Sequence, residues 1–109
     1  MTIQEWLDDF GEQNVIQLAK ELGGRRVYIP AKGPLPAKLA GALGQRAERL
    51  REYRGERLDI PRLTAVVTEL AMSRARQEAR AMLRQGLSAR FISRATGLSR
   101  PSIAKLRAR

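Results

Sequence analysis

The chain has neither cysteine nor histidine among its 109 residues. Without cysteine there is no disulfide framework and no thiolate metal site, so the chain tolerates a reducing compartment. Without histidine as well, zinc constellations, Ser-His and Cys-His nucleophile pairs and imidazole acid–base chemistry are excluded. No metal or cofactor is expected. Aromatics are scarce at 5%, and no apolar run approaches the roughly 18 to 20 residues of a membrane span. The start is acidic and lacks the basic flank of a secretory signal. These absences point away from an enzyme and away from a membrane, and toward the cytoplasm of a bacterial host.

Positive charge is plentiful. Lys and Arg number 21 against 11 Asp and Glu, a net +10 with a pI near 11.4. Such a balance implies a polyanionic partner, nucleic acid first, and so a nucleoid location. Its distribution is uneven: residues 1–22 carry net −4, residues 23–73 net +5 and residues 74–109 net +9. Opposite signs at the two ends indicate different partners, with the tail reading the polyanion. A solvated helix face is the plainer account of an arginine series.

The first segment opens on Thr2-Ile3-Gln4-Glu5, a capping box in which Thr2 accepts from the Glu5 N–H and the Glu5 carboxylate returns to the cap. Ile3, Trp6, Leu7 and Phe10 recur at helical spacing. Val15, Ile16, Leu18, Ala19 and Leu22 continue the helix past Gly11. Gly23-Gly24 stops it, and Arg25 to Ile29 read as a short strand that Pro30 ends. After the loop at residues 31–36, Leu39, Leu43, Ala47 and Leu50 predict helical packing interrupted near Gly41 and Gly44. Gly55 and a second strand-like run, Arg57 to Ile60, follow before Pro61.

A shift of 31 residues aligns Gly24 with Gly55, Arg26 with Arg57, Val27 with Leu58, Ile29 with Ile60 and Pro30 with Pro61. Two copies of a helix–glycine–strand–proline unit, 1–30 and 31–61, are therefore expected. Short strands are marginal alone, and an exposed edge invites pairing with a second copy of the chain. Val27, Tyr28, Ile29, Leu58 and Ile60 are accordingly the candidate dimerisation residues. From Pro61 the chain reads as helix. Leu63, Val66, Val67 and Leu70 form one stripe, and Ala75, Ala79, Met82 and Leu83 a displaced one. Ser73 is an N-cap for a separate helix, and one long helix bent near Met72 fits equally well.

The tail, GLSARFISRATGLSRPSIAKLR at residues 86–107, repeats one device eleven residues apart. Ser88 and Ser99 are placed as N-caps, with Leu87 and Ile92, then Leu98 and Ile103, at the two positions of a hydrophobic staple. Gly97 falls where the chain turns, and Pro101 lies in a first turn that tolerates its missing N–H. Ile92 and Ala95 face inward in the first helix, Ile103 and Leu106 in the second, and Ser93 is slim enough for two helices to cross. A helix from about Arg74 to Gln85 completes a trihelical helix-turn-helix over residues 62–109. Ser99, Arg100, Ser102 and Lys105 are candidates for base contacts, and Arg90, Arg94, Arg107 and Arg109 for phosphates.

The combination of GGRRVYIP at 23–30, RLDIPR at 57–62 and GLSARFISRATGLSRPSI at 86–103 resembles the Mor transcription activators, middle-operon regulators of Mu-like phages and prophages. That resemblance implies a mainly α fold. Its N-terminal helical region with one or two short strands makes a homodimer, and a helix-turn-helix on each subunit binds promoter double-stranded DNA and helps bring in RNA polymerase. Carried across, Val27 to Pro30 or Leu58 to Pro61 is the dimer strand and Ser99 to Lys105 begins the recognition helix. The second unit carries Asp59 where the first has Tyr28. Glu5, Asp8, Asp9 and Glu12 are candidates for the polymerase contact, although a solvated helix N-terminus accounts for them as well. A small-terminase-like packaging or recombination accessory protein is the alternative, since such proteins also carry a helix-turn-helix.

Overall fold

The computed structural model describes residues 1–108. They form a mainly helical protein with one small antiparallel ribbon: α1 (Ile3–Phe10), α2 (Glu12–Leu22), β1 (Arg26–Tyr28), α3 (Ala37–Leu43), a 3-10 helix (Gly44–Tyr53), β2 (Arg57–Asp59), α4 (Leu63–Arg84), α5 (Ala89–Thr96) and α6 (Arg100–Arg107). The chain divides into two compact units, Met1–Glu69 and Leu70–Arg109, with the division inside α4.

In the first unit Thr2 caps α1, accepting from the Glu5 N–H at 3.1 Å. The Glu5 carboxylate returns to the cap, accepting from the Thr2 hydroxyl at 3.2 Å. Gly11, at φ 83°, ends α1 and separates it from α2, so the apolar stripe is carried by two helices instead of one. Trp6, Phe10, Val15, Leu18 and Leu22 all enter the core. Asn14 ties the break down, donating to the Phe10 carbonyl at 3.0 Å and the Leu43 carbonyl at 3.3 Å.

The second repeat departs from the expected α-helix. Gly41 sits inside α3 without interrupting it; the break comes at Gly44, beyond which the chain tightens into a 3-10 helix. Ala47, Leu50 and Tyr53 are spaced by three, the period of a 3-10 turn, so one face stays inward, with Ala47 and Leu50 buried and Tyr53 half-buried. Burial, then the carboxylates of Asp9, Glu52, Glu5 and Glu56, hold the Tyr53 phenol above its ordinary value.

The two repeats meet through their strands. β1 pairs with β2 antiparallel, with Val27 opposite Leu58, Arg26 opposite Asp59 and Tyr28 opposite Arg57. Val27 and Leu58 are also the residues that the 31-residue shift makes equivalent, so the copies are related by an approximate two-fold through that pair. Backbone hydrogen bonds obey the same operation. Gly24 N–H donates to the Ile60 carbonyl at 2.9 Å and Gly55 N–H to the Ile29 carbonyl at 2.8 Å. Ile60 N–H reaches Arg25 and Ile29 N–H reaches Glu56, both at 2.8 Å. Helix packing follows too, with α1 on α2 and the 3-10 helix, and α3 on the 3-10 helix and α2.

Period-two alternation then sorts the ribbon's faces. Ile29, Leu58 and Ile60 are buried and Val27 half-buried, whereas Arg26, Tyr28, Arg57 and Asp59 are exposed. Three of the five candidate dimerisation side chains therefore serve the chain's own core, leaving Tyr28 and part of Val27 accessible. Arg26 and Asp59 form an exposed cross-strand ion pair at 2.8 Å. Its hydrogen bond and charge lower the Asp59 carboxyl below, and raise Arg26 above, their ordinary values.

Segment 63–84 is one uninterrupted helix, with Ser73 inside it and not at a cap. Val66 packs into the first unit's core. In the second unit Ala79 of α4, Ile92 of α5 and Ile103 of α6 make the core, flanked by Met82, Leu83, Leu87, Ala89, Leu98 and Leu106. No helix among the described residues is long and apolar enough to cross a membrane.

Candidate nucleic-acid interface

The site is built on the α5–α6 pair. Ser88 caps α5 by accepting from the Phe91 N–H at 3.2 Å, and Ser99 caps α6 by accepting from the Ser102 N–H at 3.3 Å. Each cap of this kind stabilises its helix by about 1 kcal/mol. Leu87 and Leu98, placed for the two staples, pack on the Ala79–Ile92–Ile103 core. Two eight-residue helices, too short to persist alone, are thus held at their N-termini by side-chain chemistry encoded within four or five residues.

The connection between them is closed by three further bonds. Gly97 takes φ 77°, ψ 1°, a left-handed conformation that a Cβ would penalise, and its N–H donates to the Ser93 carbonyl at 2.9 Å. The Ser93 hydroxyl donates to the Leu98 carbonyl at 2.7 Å, and the Leu98 N–H donates to the Thr96 hydroxyl at 3.2 Å. Ser93 is therefore a fastener of the turn as well as a slim residue. Thr96, which sequence reasoning passed over, is the second fastener. Its signal was a hydroxyl one residue before the glycine.

These bonds also correct the inward face of α5. Ala95 is exposed; the side turned inward is Ala89, Ile92, Ser93 and Thr96, an i, i+3, i+4, i+7 stripe. Ser93 and Thr96 occupy it because the turn satisfies their hydroxyls. The opposite face presents Phe91, 54% exposed, beside Arg90 and Arg94.

On α6, Ile103 is buried and Leu106 half-buried, as the pattern predicts. Arg100, Pro101, Ala104, Lys105, Arg107 and Ala108 are exposed. Ser102 is half-buried, and its hydroxyl stands 2.9 Å from the Ser99 hydroxyl. One hydroxyl hydrogen of that pair is spent internally, so Ser99 and Ser102 shape the helix start more than they face outward. Arg109 lies outside the described residues.

Positive charge dominates this unit. Glu78 is the single carboxylate-bearing side chain in residues 70–109, against ten Lys and Arg. The ion pairs Arg26–Asp59 and Arg49–Asp9 lie in the first unit. Arg90, Arg94, Arg100, Lys105 and Arg107 enter neither. Among the described residues, no group of three or more carboxylates gathers where a metal ion would be held. Basic side chains on a capped, exposed helix end have the chemistry to bind phosphate oxygens and the acceptor edges of bases. No family model, curated protein or solved structure matches the chain.

Proposed function

We propose that this protein is a sequence-specific regulator of transcription that binds double-stranded DNA through a helix-turn-helix made by α4, α5 and α6. In that reading α6 enters the major groove by its N-terminal half while α5 lies across it. Arg100 and Lys105 are the base readers, with Pro101 and Ala104 small enough to let the helix approach. Arg90, Arg94 and Arg107 hold phosphates. The observation that carries the reading is the exposed α6 face, whose cations find no carboxylate in a unit of net charge +9.

Two copies bind together. Alternation along the ladder turns the backbone groups of Arg26 and Tyr28 away from β2, leaving the outer edge of β1 for a second chain, with the 50% exposed Tyr28 side chain beside it. A two-fold dimer presents its two recognition helices about 34–36 Å apart, or a multiple of that, to a split site.

The test is selection from a randomised duplex pool at about 50 and 200 mM salt, paired with a mass measurement. One enriched motif with two half-sites is expected. Arg100→Ala relaxes one position at a cost of about 1–3 kcal/mol, whereas Arg94→Ala weakens all sequences alike and lowers the salt slope by about 1. A pool without enrichment at either salt rejects the proposal, and a ring of many subunits would move the protein to DNA packaging.

A further inference from the structure

Between α4 and α6 the second unit leaves a groove that its own side chains do not fill. One end, about 590 Å³, is floored by Leu83, Leu87 and Leu106 and rimmed by Arg80, Arg84 and Arg107. A smaller cleft of about 300 Å³ continues past Met72, Leu98 and Lys105, and shares Arg80 and Leu106 with the first. The leucines rest on the Ala79–Ile92–Ile103 core from one side and stay half open on the other. Arg80, Arg84, Lys105 and Arg107 are exposed and enter neither of the recorded ion pairs.

We infer that this groove is a docking site for an acidic amphipathic helix of a protein partner. An apolar floor between two cationic walls asks for a guest with aliphatic side chains along one face and carboxylates on both flanks. Other guests meet half of that demand. Duplex DNA supplies the charge but buries no aliphatic surface against three leucines. A fatty acid supplies the chain and one carboxylate, whereas Arg80 and Arg84 stand one helical turn apart, about 6 Å along α4, with Lys105 and Arg107 on the opposite wall. An anionic bilayer does not enter a concave groove. The acidic α1 of a second copy spends Trp6 and Phe10 in its own core and has no large apolar face left to offer.

The inference does not rest on the DNA-binding reading, although Lys105 and Arg107 serve in both, so a guest helix and a duplex compete for them. It is tested with the full chain and a labelled helical peptide of about 16 residues carrying Leu at i, i+4 and i+7 with Glu on both flanks, against a peptide of equal charge with Ser for Leu. The leucine peptide is expected to bind and to shift the methyl resonances of Leu83, Leu87 and Leu106, with the serine peptide at least about tenfold weaker. The double variant R80E/R84E, both sites exposed, is expected to keep its helicity and lose at least about tenfold in affinity, and Arg84→Gln alone a few-fold. Equal binding of the two peptides, unchanged affinity of R80E/R84E, or shifts of the Leu83 and Leu87 methyls produced equally by duplex DNA would each overturn it.

Discussion

Of eighteen buried apolar residues among those described, fifteen lie in Met1–Glu69 and three, Ala79, Ile92 and Ile103, in Leu70–Arg109. The first unit sets ten carboxylates against eleven cations, the second one against ten. Burial contributes about 1.5–3 kcal/mol per large apolar side chain, so the first unit holds its shape by its interior. The second holds its shape by its ends, through two serine caps, two glycines at positive φ, Gly86 and Gly97, and the hydroxyls of Ser93 and Thr96. Its self-repulsion subtracts from a small core, and the same repulsion is what a polyanion relieves on binding. Under the proposed DNA-binding reading, stability forgone in this unit becomes available as affinity.

The sharpest way to break this contrast is to empty the second core. Ile103→Ala removes one of three fully buried side chains and is expected to cost about 2–5 kcal/mol, enough to melt α5 and α6 at moderate temperature. Trp6, the single tryptophan, is buried in the first unit against Phe10 and reports on that unit alone. Its fluorescence transition should stay where it is while the α5–α6 amides lose exchange protection. If Trp6 melts together with them, the two units do not differ in the way their interiors imply.

Glycines sharpen the contrast further. A Cβ at Gly23 would collide with the Ala19 carbonyl oxygen and press on that of Pro61, so Gly23→Ala forces backbone movement in the first unit. A Cβ at Gly97 meets open space, and Gly97→Ala pays only for its φ of 77°, about 1–2 kcal/mol. Thermal unfolding should therefore show the larger loss for Gly23→Ala; a larger loss at Gly97 would mean that the turn, and not close packing, is the tighter constraint. Ser88→Ala and Ser99→Ala come next, each expected to cost about 1 kcal/mol, read from the exchange rates of the Phe91 and Ser102 amides that the caps engage.

Local chemistry was readable from the residues, and pairing in space was not. Ser88, Ser99 and their staples were expected because a cap and its partners lie within five residues. The 31-residue repeat was visible as well, yet alignment by translation does not say that the copies face each other through a two-fold. Ile29, Leu58 and Ile60 were consequently assigned to a partner chain when their own chain covers them. Ala95 was misplaced because hydrophobicity pointed inward where Ser93 and Thr96, satisfied by the turn, take the inner face. The 3-10 helix announced itself in the three-residue spacing of Ala47, Leu50 and Tyr53, which is close enough to α-helical spacing to be read as such. Arg80 and Arg84 were plain charges until α6 stood opposite them.

The smallest expected effect concerns the ribbon that joins the repeats. Asp59 is held below its ordinary carboxyl value by the hydrogen bond and then the charge of Arg26, so whatever the pair contributes is present above the unfolded carboxyl range, near pH 4. It is lost as pH falls through the lower, folded value. Both side chains are largely exposed, at 65% and 75%, and solvent screens them. Arg26→Gln should raise the Asp59 titration midpoint toward the ordinary carboxyl value, followed by its side-chain carbonyl resonance. Asp59→Asn should remove that part of the acid dependence and leave the ribbon formed, because Val27 opposite Leu58, the burial of Ile29 and Ile60, and the doubled backbone bonds remain. A ribbon that opens in Asp59→Asn would place the join in the ion pair and deny that the two-fold packing of the repeats suffices to hold it.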